Sequence, residues 1–442
     1  MFLWPRYFFI SIAGKGVSLF TAMTLVMLLQ AVYFLFTARE IQSAALKGWR
    51  QSLPLIAALN VFFAWSLWTD VIGFSPTVSL GITLQDILFS SSWMLIASVY
   101  FCFPGSDRIL LRTIAIAALV ATAMGLLEFV TQTPLLDALG LSGLAVGDNL
   151  KAINFASSSA GSLRIKSVFS HPIVYGQVMA LFAPFALHFL TQARAGGKML
   201  SMAMFVGIAL AMVICESRSP LALVPTALVA YYVIYNLDLR NSTRFLRLLT
   251  LLIASVLLLP IAIESGADLI NGTSSDKAGS TMIRNIQYQR MQTALVDRPF
   301  VGHGAGQAGY MAGVEGRNDV LTVDSIFIST SVERGYFGTV LLCVLFLAMA
   351  IKGARSTLAE QNPQRRSLLA GLTAWTIAIP VGLSIISIPD EMVMLYLAGG
   401  FFIAAAGLRA QQRALPAPAQ AGANAPAIAA ARRRAQARRI NL

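Results

Sequence analysis

Apolar runs of membrane-crossing length recur along almost the whole of this 442-residue chain, and they limit the possible folds more than any other feature. Val17–Phe36, Ile109–Val130 and Phe245–Ile263 each reach or approach the roughly 20 residues that cross a hydrocarbon core. One such run fits a signal or an anchor. A long series of them leaves a helical bundle, because in lipid each backbone polar group must be satisfied inside its own segment. Charge agrees: 12% of residues are charged, against about 25% in soluble domains. The predicted class is an all-α polytopic membrane protein of about 11–12 transmembrane helices.

Spans are expected at 17–37, 53–73, 84–103, 109–130, 168–190, 199–215, 219–236, 246–264, 325–350, 367–388 and 391–409. Met1–Lys15 is a further short candidate, which leaves the side of the N-terminus open. Residues 1–409 read as one transmembrane domain, and 410–442 as a disordered basic tail rich in Ala, Pro and Arg. The net charge of +13 gathers in that tail and in alternate loops: Arg39–Arg50, Pro104–Arg112, Gln192–Lys198, Asp238–Arg244 and Lys352–Arg366. The positive-inside rule makes those loops and the C-terminus cytoplasmic. A basic tail beside anionic lipid also accounts for the charge without nucleic acid. Cys102, Cys215 and Cys343 lie in or beside apolar runs with no metal or redox spacing, and read as small buried hydrophobes.

The opposite loops are 74–83, 131–167, the Glu216–Ser219 hinge, 265–324 and the Pro389–Asp390 turn. Loop 265–324 is far longer than ordinary connections, and it is patterned. Arg284–Asp297 predicts an amphipathic helix with Ile286, Met291, Leu295 and Val296 on its apolar face, lying flat on the outer membrane surface. Arg298-Pro299-Phe300 ends it, and Gly302-His303-Gly304-Ala305-Gly306 forms a Gly-rich turn.

Chemistry is expected on this outer side. Arg164, Arg218, Arg284 and Arg290 all fall there, where positive charge is usually depleted. Any one of them could simply snorkel to headgroups, and Arg218 could cap a tight helical hairpin. Together they suggest a retained anion, since guanidinium donates two parallel hydrogen bonds to phosphate and stays charged. Arg284 and Arg290 are about 1.7 turns apart, so one would serve the ligand and the other the membrane, with Arg290 preferred. The candidate bases are His303, Asp324 and Glu333, with His171 beside the anion site. His171-Pro172 could also be a helix cap, and Glu333-Arg334 an ion pair satisfying itself. No Walker sequence, metal-ligand cluster or Ser-His-Asp set occurs, so neither cofactor nor metal is expected.

Four stretches resemble the bacterial O-antigen polymerase and O-antigen ligase superfamily: Arg164–Gln177, Glu216–Val224, Arg290–Gly306 and Asp324–Gly338, whose last part reads Glu-x-Gly-x-x-Gly. The likeness covers about 160–340, the rest only by hydropathy. It implies a C-type glycosyltransferase fold in the bacterial inner membrane. It implies transfer of a glycan from undecaprenyl diphosphate to a sugar hydroxyl at the periplasmic face, without metal. By position, Arg164, Arg218 and Arg290 would hold the donor diphosphate, and a residue opening the ninth span would act as base or orient the acceptor. Ligases that decorate lipid A–core usually show His-Asn there, whereas this chain has Asp324-Ser325. That difference leans towards a polymerase of O-antigen or exopolysaccharide units, with a chain-length regulator as a possible kind of partner. A transporter or flippase is the second class; it would place ionisable residues at mid-span, where this sequence has mainly Glu128 and Glu333. A membrane scaffold would leave the patterned loop without a purpose.

Overall fold

The computed structural model describes residues 9–12, 15–133, 164–169, 171–192, 195–215, 217–237, 275–315, 321–385 and 390–414. The expected span 246–264, most of loop 131–167 and the tail from 415 lie outside these residues. The described chain is helical almost throughout, and ten helical stretches are long and apolar enough to cross a membrane. The all-α polytopic class holds.

A short antiparallel hairpin opens the described chain, β1 (Phe9–Ile12) against β2 (Lys15–Ser18). The described part of Met1–Lys15 is therefore extended, where a twelfth helix had been a candidate. Helix α1 (Leu19–Thr37) starts on Ser18, whose hydroxyl accepts the Thr21 amide at 3.0 Å. The basic stretch Arg39–Arg50, expected as a loop, is a second helix, α2. It is amphipathic, burying Ala44, Ala45 and Gly48. Next come α3 (Leu53–Val71), α4 (Pro76–Gln85) and α5 (Ser92–Tyr100). A π-helical turn over Asp86–Ser91 joins α4 to α5 as one crossing. Residues 74–83, expected as an outer loop, are thus mostly helix. Within this stretch Ser79 and Thr83 are fully buried against protein, while Thr77 and Gly81 are exposed.

The remaining elements are α6 (Ser106–Thr131), α7 (Pro172–Leu181), α8 (Ala183–Gln192), α9 (Ala195–Ile214) and α10 (Arg218–Asn236). Then follow α11 (Ser275–Ala294), α12 (Ala308–Ala312), the paired β3 (Val314–Glu315) and β4 (Leu321–Thr322), and α13 (Ile326–Leu358). Helices α14 (Pro363–Leu383) and α15 (Asp390–Ala414) close the described chain.

Burial ranks these spans. Helix α15 is almost wholly enclosed and α14 nearly so, whereas α1 faces outward along most of its length. The last span in sequence is thus the centre of the bundle. Its glycines let neighbours approach: a side chain at Gly400 would meet the Met94 carbonyl of α5, and one at Gly407 the Ala44 carbonyl of α2. Small residues at helix contacts suit a bilayer, where packing replaces the hydrophobic drive between helices.

One end of the bundle is fixed by cations. Lys352 Nζ donates to the Gln51 carbonyl at 3.0 Å and Arg366 Nη2 to the Leu237 carbonyl at 3.1 Å, each closing the C-terminus of another helix. Arg409 reaches the Ser356 carbonyl, and Arg365 pairs with Asp107 at 3.3 Å. At the opposite, loop end lie the α3–α4 turn, the end of α6, the starts of α7, α10 and α13, and the loop elements α11 and α12.

Candidate functional site

Helix α13 is broken at Gly335, where φ is 70° and ψ 177°, a region essentially reserved for glycine. A break inside a span frees backbone groups that lipid cannot satisfy. The Gly-rich turn satisfies them. The amides of His303 and Gly304 donate to the Val332 and Glu333 carbonyls at 2.9 and 2.8 Å, and the Tyr336 amide donates to the Pro299 carbonyl at 2.8 Å. Trp65 Nε1 of α3 donates to the Arg334 carbonyl at 3.0 Å. Gly302, Gly304 and Gly306 all have left-handed φ, which winds the turn tightly enough to enter the break.

Carboxylates complete the clasp. The Gly306 amide donates to Glu333 Oε1 at 2.9 Å, and the Ala305 amide to Asp70 Oδ1 at 2.8 Å. Asp70 is fully buried at the end of α3 and pairs with Arg334 Nη1 at 3.6 Å. Arg334 Nη2 donates to Thr83 Oγ1 at 2.9 Å, and Ser79 Oγ donates to the Ala305 carbonyl at 2.8 Å. Of the two readings open for Glu333-Arg334, a self-satisfied ion pair is not what forms: Arg334 pairs with Asp70, and Glu333 accepts from the turn. Adjacent helical residues do not face one another, which is why their partners come from elsewhere. His303 is buried, stacked 5.0 Å from Phe74, with Nε2 at 2.8 Å from the Ala294 carbonyl.

Asp324 stands just before α13, half-buried. Its amide donates to Gln287 Oε1 at 3.2 Å, while Gln287 Nε2 donates to the Thr322 carbonyl at 3.0 Å. Fully buried Gln287 therefore ties α11 to the start of α13. Burial pushes the Asp324 carboxyl above the ordinary carboxylate range, with the Arg284 charge and the Gln287 side chain holding it back. The buried stripe is Gln287 and Met291 on α11 with Leu295 just past its end, and the last two pack with Ala308, Ala312 and Val332. Val296, expected on the apolar face, is 76% exposed. Of the expected apolar face, Met291 and Leu295 thus meet protein. Arg284 and Arg290 are exposed; Arg284 acts on Asp324, and Arg290 Nη1 reaches the Gly313 carbonyl.

A second group gathers at the start of α7. His171 caps that helix, its Nδ1 accepting the Ile173 amide at 3.1 Å. Burial first, then the charges of Arg164 and Lys166, push the His171 ring down to about 4. At neutral pH it is uncharged, and with Nδ1 accepting, the proton sits on Nε2. The start of α10 adjoins: a side chain at Gly176 would run into Pro220 and Cys215. Arg218 is the first residue of α10, with its backbone described and its side chain outside the described atoms. Two helix N-termini and the cations Arg164 and Lys166 thus meet at this place, favourable for an anion.

The structure therefore brings Asp324 together with Arg284, Glu333 with His303's turn, and Arg164 with His171. Sequence reasoning missed Asp70 and Gln287. Asp70 had a signal, an acid in the otherwise apolar run 53–71; Gln287 had none. Among the described residues, no three His, Cys, Asp or Glu side chains gather as a metal ion requires.

Fold and clasp define a multi-pass membrane protein whose longest described loop is stapled into a broken span. Residues 203–343, from within α9 to the middle of α13, match the family model described as O-antigen ligase. That match supports the O-antigen polymerase and ligase superfamily and, in general terms, transfer of a lipid-linked glycan to an acceptor. Curated proteins offer no significant match to the chain.

Proposed function

We propose that this chain polymerises O-antigen or exopolysaccharide repeat units at the periplasmic face of a bacterial inner membrane, taking donor glycan from undecaprenyl diphosphate. The observation that carries the reading is Asp324. Its backbone is anchored on Gln287, and its carboxyl is raised by burial and set beside Arg284 at the start of a span. A base with an elevated pKa accepts a sugar hydroxyl proton more readily near neutral pH.

In the proposed step the acceptor hydroxyl oxygen attacks the anomeric carbon of the donor, and its proton passes to Asp324. The bond from that carbon to the diphosphate oxygen breaks, and undecaprenyl diphosphate leaves with the electron pair. Arg164, Arg218 and Arg290 neutralise the charge that develops on it, assisted by the α7 and α10 N-termini. Neutral His171 donates from Nε2. Arg284 tunes Asp324. His303 and Glu333 support the step by holding the clasp, since their polar atoms face backbone groups there. The basic end and the C-terminus face the cytoplasm in this reading.

Ligation of finished glycan to lipid A–core is the second reading, favoured by the description of the matched family. Glycolipid analysis of a deletion strain separates the two. Single repeat units accumulating on the lipid carrier support polymerisation. Full-length glycan on the carrier with bare lipid A–core supports ligation, and an unchanged profile counts against both.

A further inference from the structure

Glu128 is a fully buried carboxylate near the loop end of α6, inside a membrane span, and the step above makes no use of it. An ionisable group in such a place is costly, and it usually has a task. Its Oε2 accepts two successive backbone amides of the segment that leads into α7, Lys166 at 3.0 Å and Ser167 at 2.6 Å. Ser167 has a left-handed φ of 54°, uncommon for a residue with a side chain, and its hydroxyl donates to the Ala121 carbonyl at 2.8 Å. That turn aims both amides at one oxygen, as in an anion-binding nest. Here the nest is filled by the protein's own carboxylate. Arg164 lies two residues before the clamped amides and His171 four after, and both Arg164 and Lys166 act electrostatically on His171. A clamp at Lys166–Ser167 therefore sets the position of the cationic stretch at the mouth of α7.

We infer that Glu128 is a positioning residue for a polyprenyl diphosphate, holding Arg164 in place through the amides of Lys166 and Ser167. The inference rests on the reading that Arg164 contacts the donor diphosphate. It makes a prediction opposite to simple electrostatics. Were Glu128 merely a nearby negative charge, removing it would strengthen binding of an anion. As a clamp, its removal weakens binding even though the site becomes more positive.

The test uses the full chain in nanodiscs, with farnesyl diphosphate as a soluble probe of dissociation constant. Glu128→Ala is expected to weaken binding about ten-fold, within the coupling range of contacting groups. Glu128→Gln, whose side-chain oxygen can still accept the amides, should recover most of that loss. The double variant Glu128→Ala/Arg164→Ala should bind no more weakly than Arg164→Ala alone. Unchanged or tighter binding by Glu128→Ala overturns the inference, as does an additive loss in the double variant. Should Glu128→Ala fail to accumulate as folded protein, Glu128→Asp serves. It withdraws the acceptor by one methylene, and wild-type binding by it overturns the inference equally. If Arg164→Ala itself binds as wild type does, the diphosphate reading of Arg164 fails and the inference falls with it. That outcome is distinct from a loss in Arg164→Ala beside none in Glu128→Ala, which removes the clamp alone.

Discussion

Asp70 and Glu333, carboxylates on different membrane spans, accept hydrogen bonds from consecutive backbone amides, Ala305 to Asp70 and Gly306 to Glu333. A Gly-rich turn with its amides exposed is the usual cradle for a phosphate. In this chain those amides are taken by the protein itself, so the turn acts as a fastener, and the proposed donor diphosphate is left to the arginines and helix N-termini.

Removing one side of that fastener should unseat it. In Asp70→Ala the Ala305 amide loses its acceptor and Arg334 its counter-ion, a change worth about 3–5 kcal/mol when a buried pair is broken. The thermal midpoint in detergent should fall by many degrees. A midpoint within a degree or two of wild type would show that the pair contributes nothing to the fold.

Gly335→Ala attacks the same place through the backbone. The added methyl would run into the Phe300 carbonyl, and the φ of 70° with ψ of 177° is costly for any side chain by about 1–3 kcal/mol. Protease sensitivity between 295 and 306 should rise with little change at the basic end. Equal protection throughout would mean that the break tolerates a side chain.

Asp324 gives a pH signature. As a base it acts only when deprotonated, and its carboxyl titrates above the usual range, so kcat/KM should decline on acidification earlier than an ordinary aspartate would allow. Arg284 holds the carboxyl down, so Arg284→Ala should move that acid limb to higher pH. A limb that stays put, or moves lower, removes Arg284 as the tuning charge.

His171 should appear in stability. Its ring titrates at about 4 in the folded chain against 6.5 ordinarily. The unfolded chain therefore binds the extra proton first as pH falls. Stability should drop between about pH 6.5 and 4 and level off below. His171→Gln should flatten that part of a midpoint-against-pH curve, and an unaltered slope would contradict the assignment.

At the arginines, Arg290→Ala and Arg218→Ala should abolish long-chain polysaccharide while the protein still accumulates in the membrane. Arg290→Lys should fail as well if two parallel hydrogen bonds to phosphate are required. Normal chain lengths in the alanine variants would exclude these side chains from the donor site.

Much of the architecture was legible because hydropathy over some 20 residues is a local property. The misreadings were local too. Residues 74–83 carry Ser, Pro, Thr and Gly, and look like a loop until Asp70, Ser79 and Thr83 are seen to line the seat of the clasp. The motifs Gly302–Gly306 and Glu333-x-Gly335-x-x-Gly338 were each visible as unusual. That one is the lock for the other depends on a contact between a loop and a span, and no spacing rule contains it. Gln287 is the clearest case of what stays hidden. It is a polar residue on an exposed-looking helix, and only its two hydrogen bonds to 322 and 324 set it apart.

The clasp also has a consequence for biogenesis. Span α3 leaves the ribosome carrying Asp70, yet Arg334 is translated roughly 260 residues later, on the order of 10 to 50 s at ordinary elongation rates. Through that interval the nascent chain holds an acid in an apolar segment without its partner. Insertion of α13 is then the event that brings counter-ion and turn together and commits the early spans to their final depth.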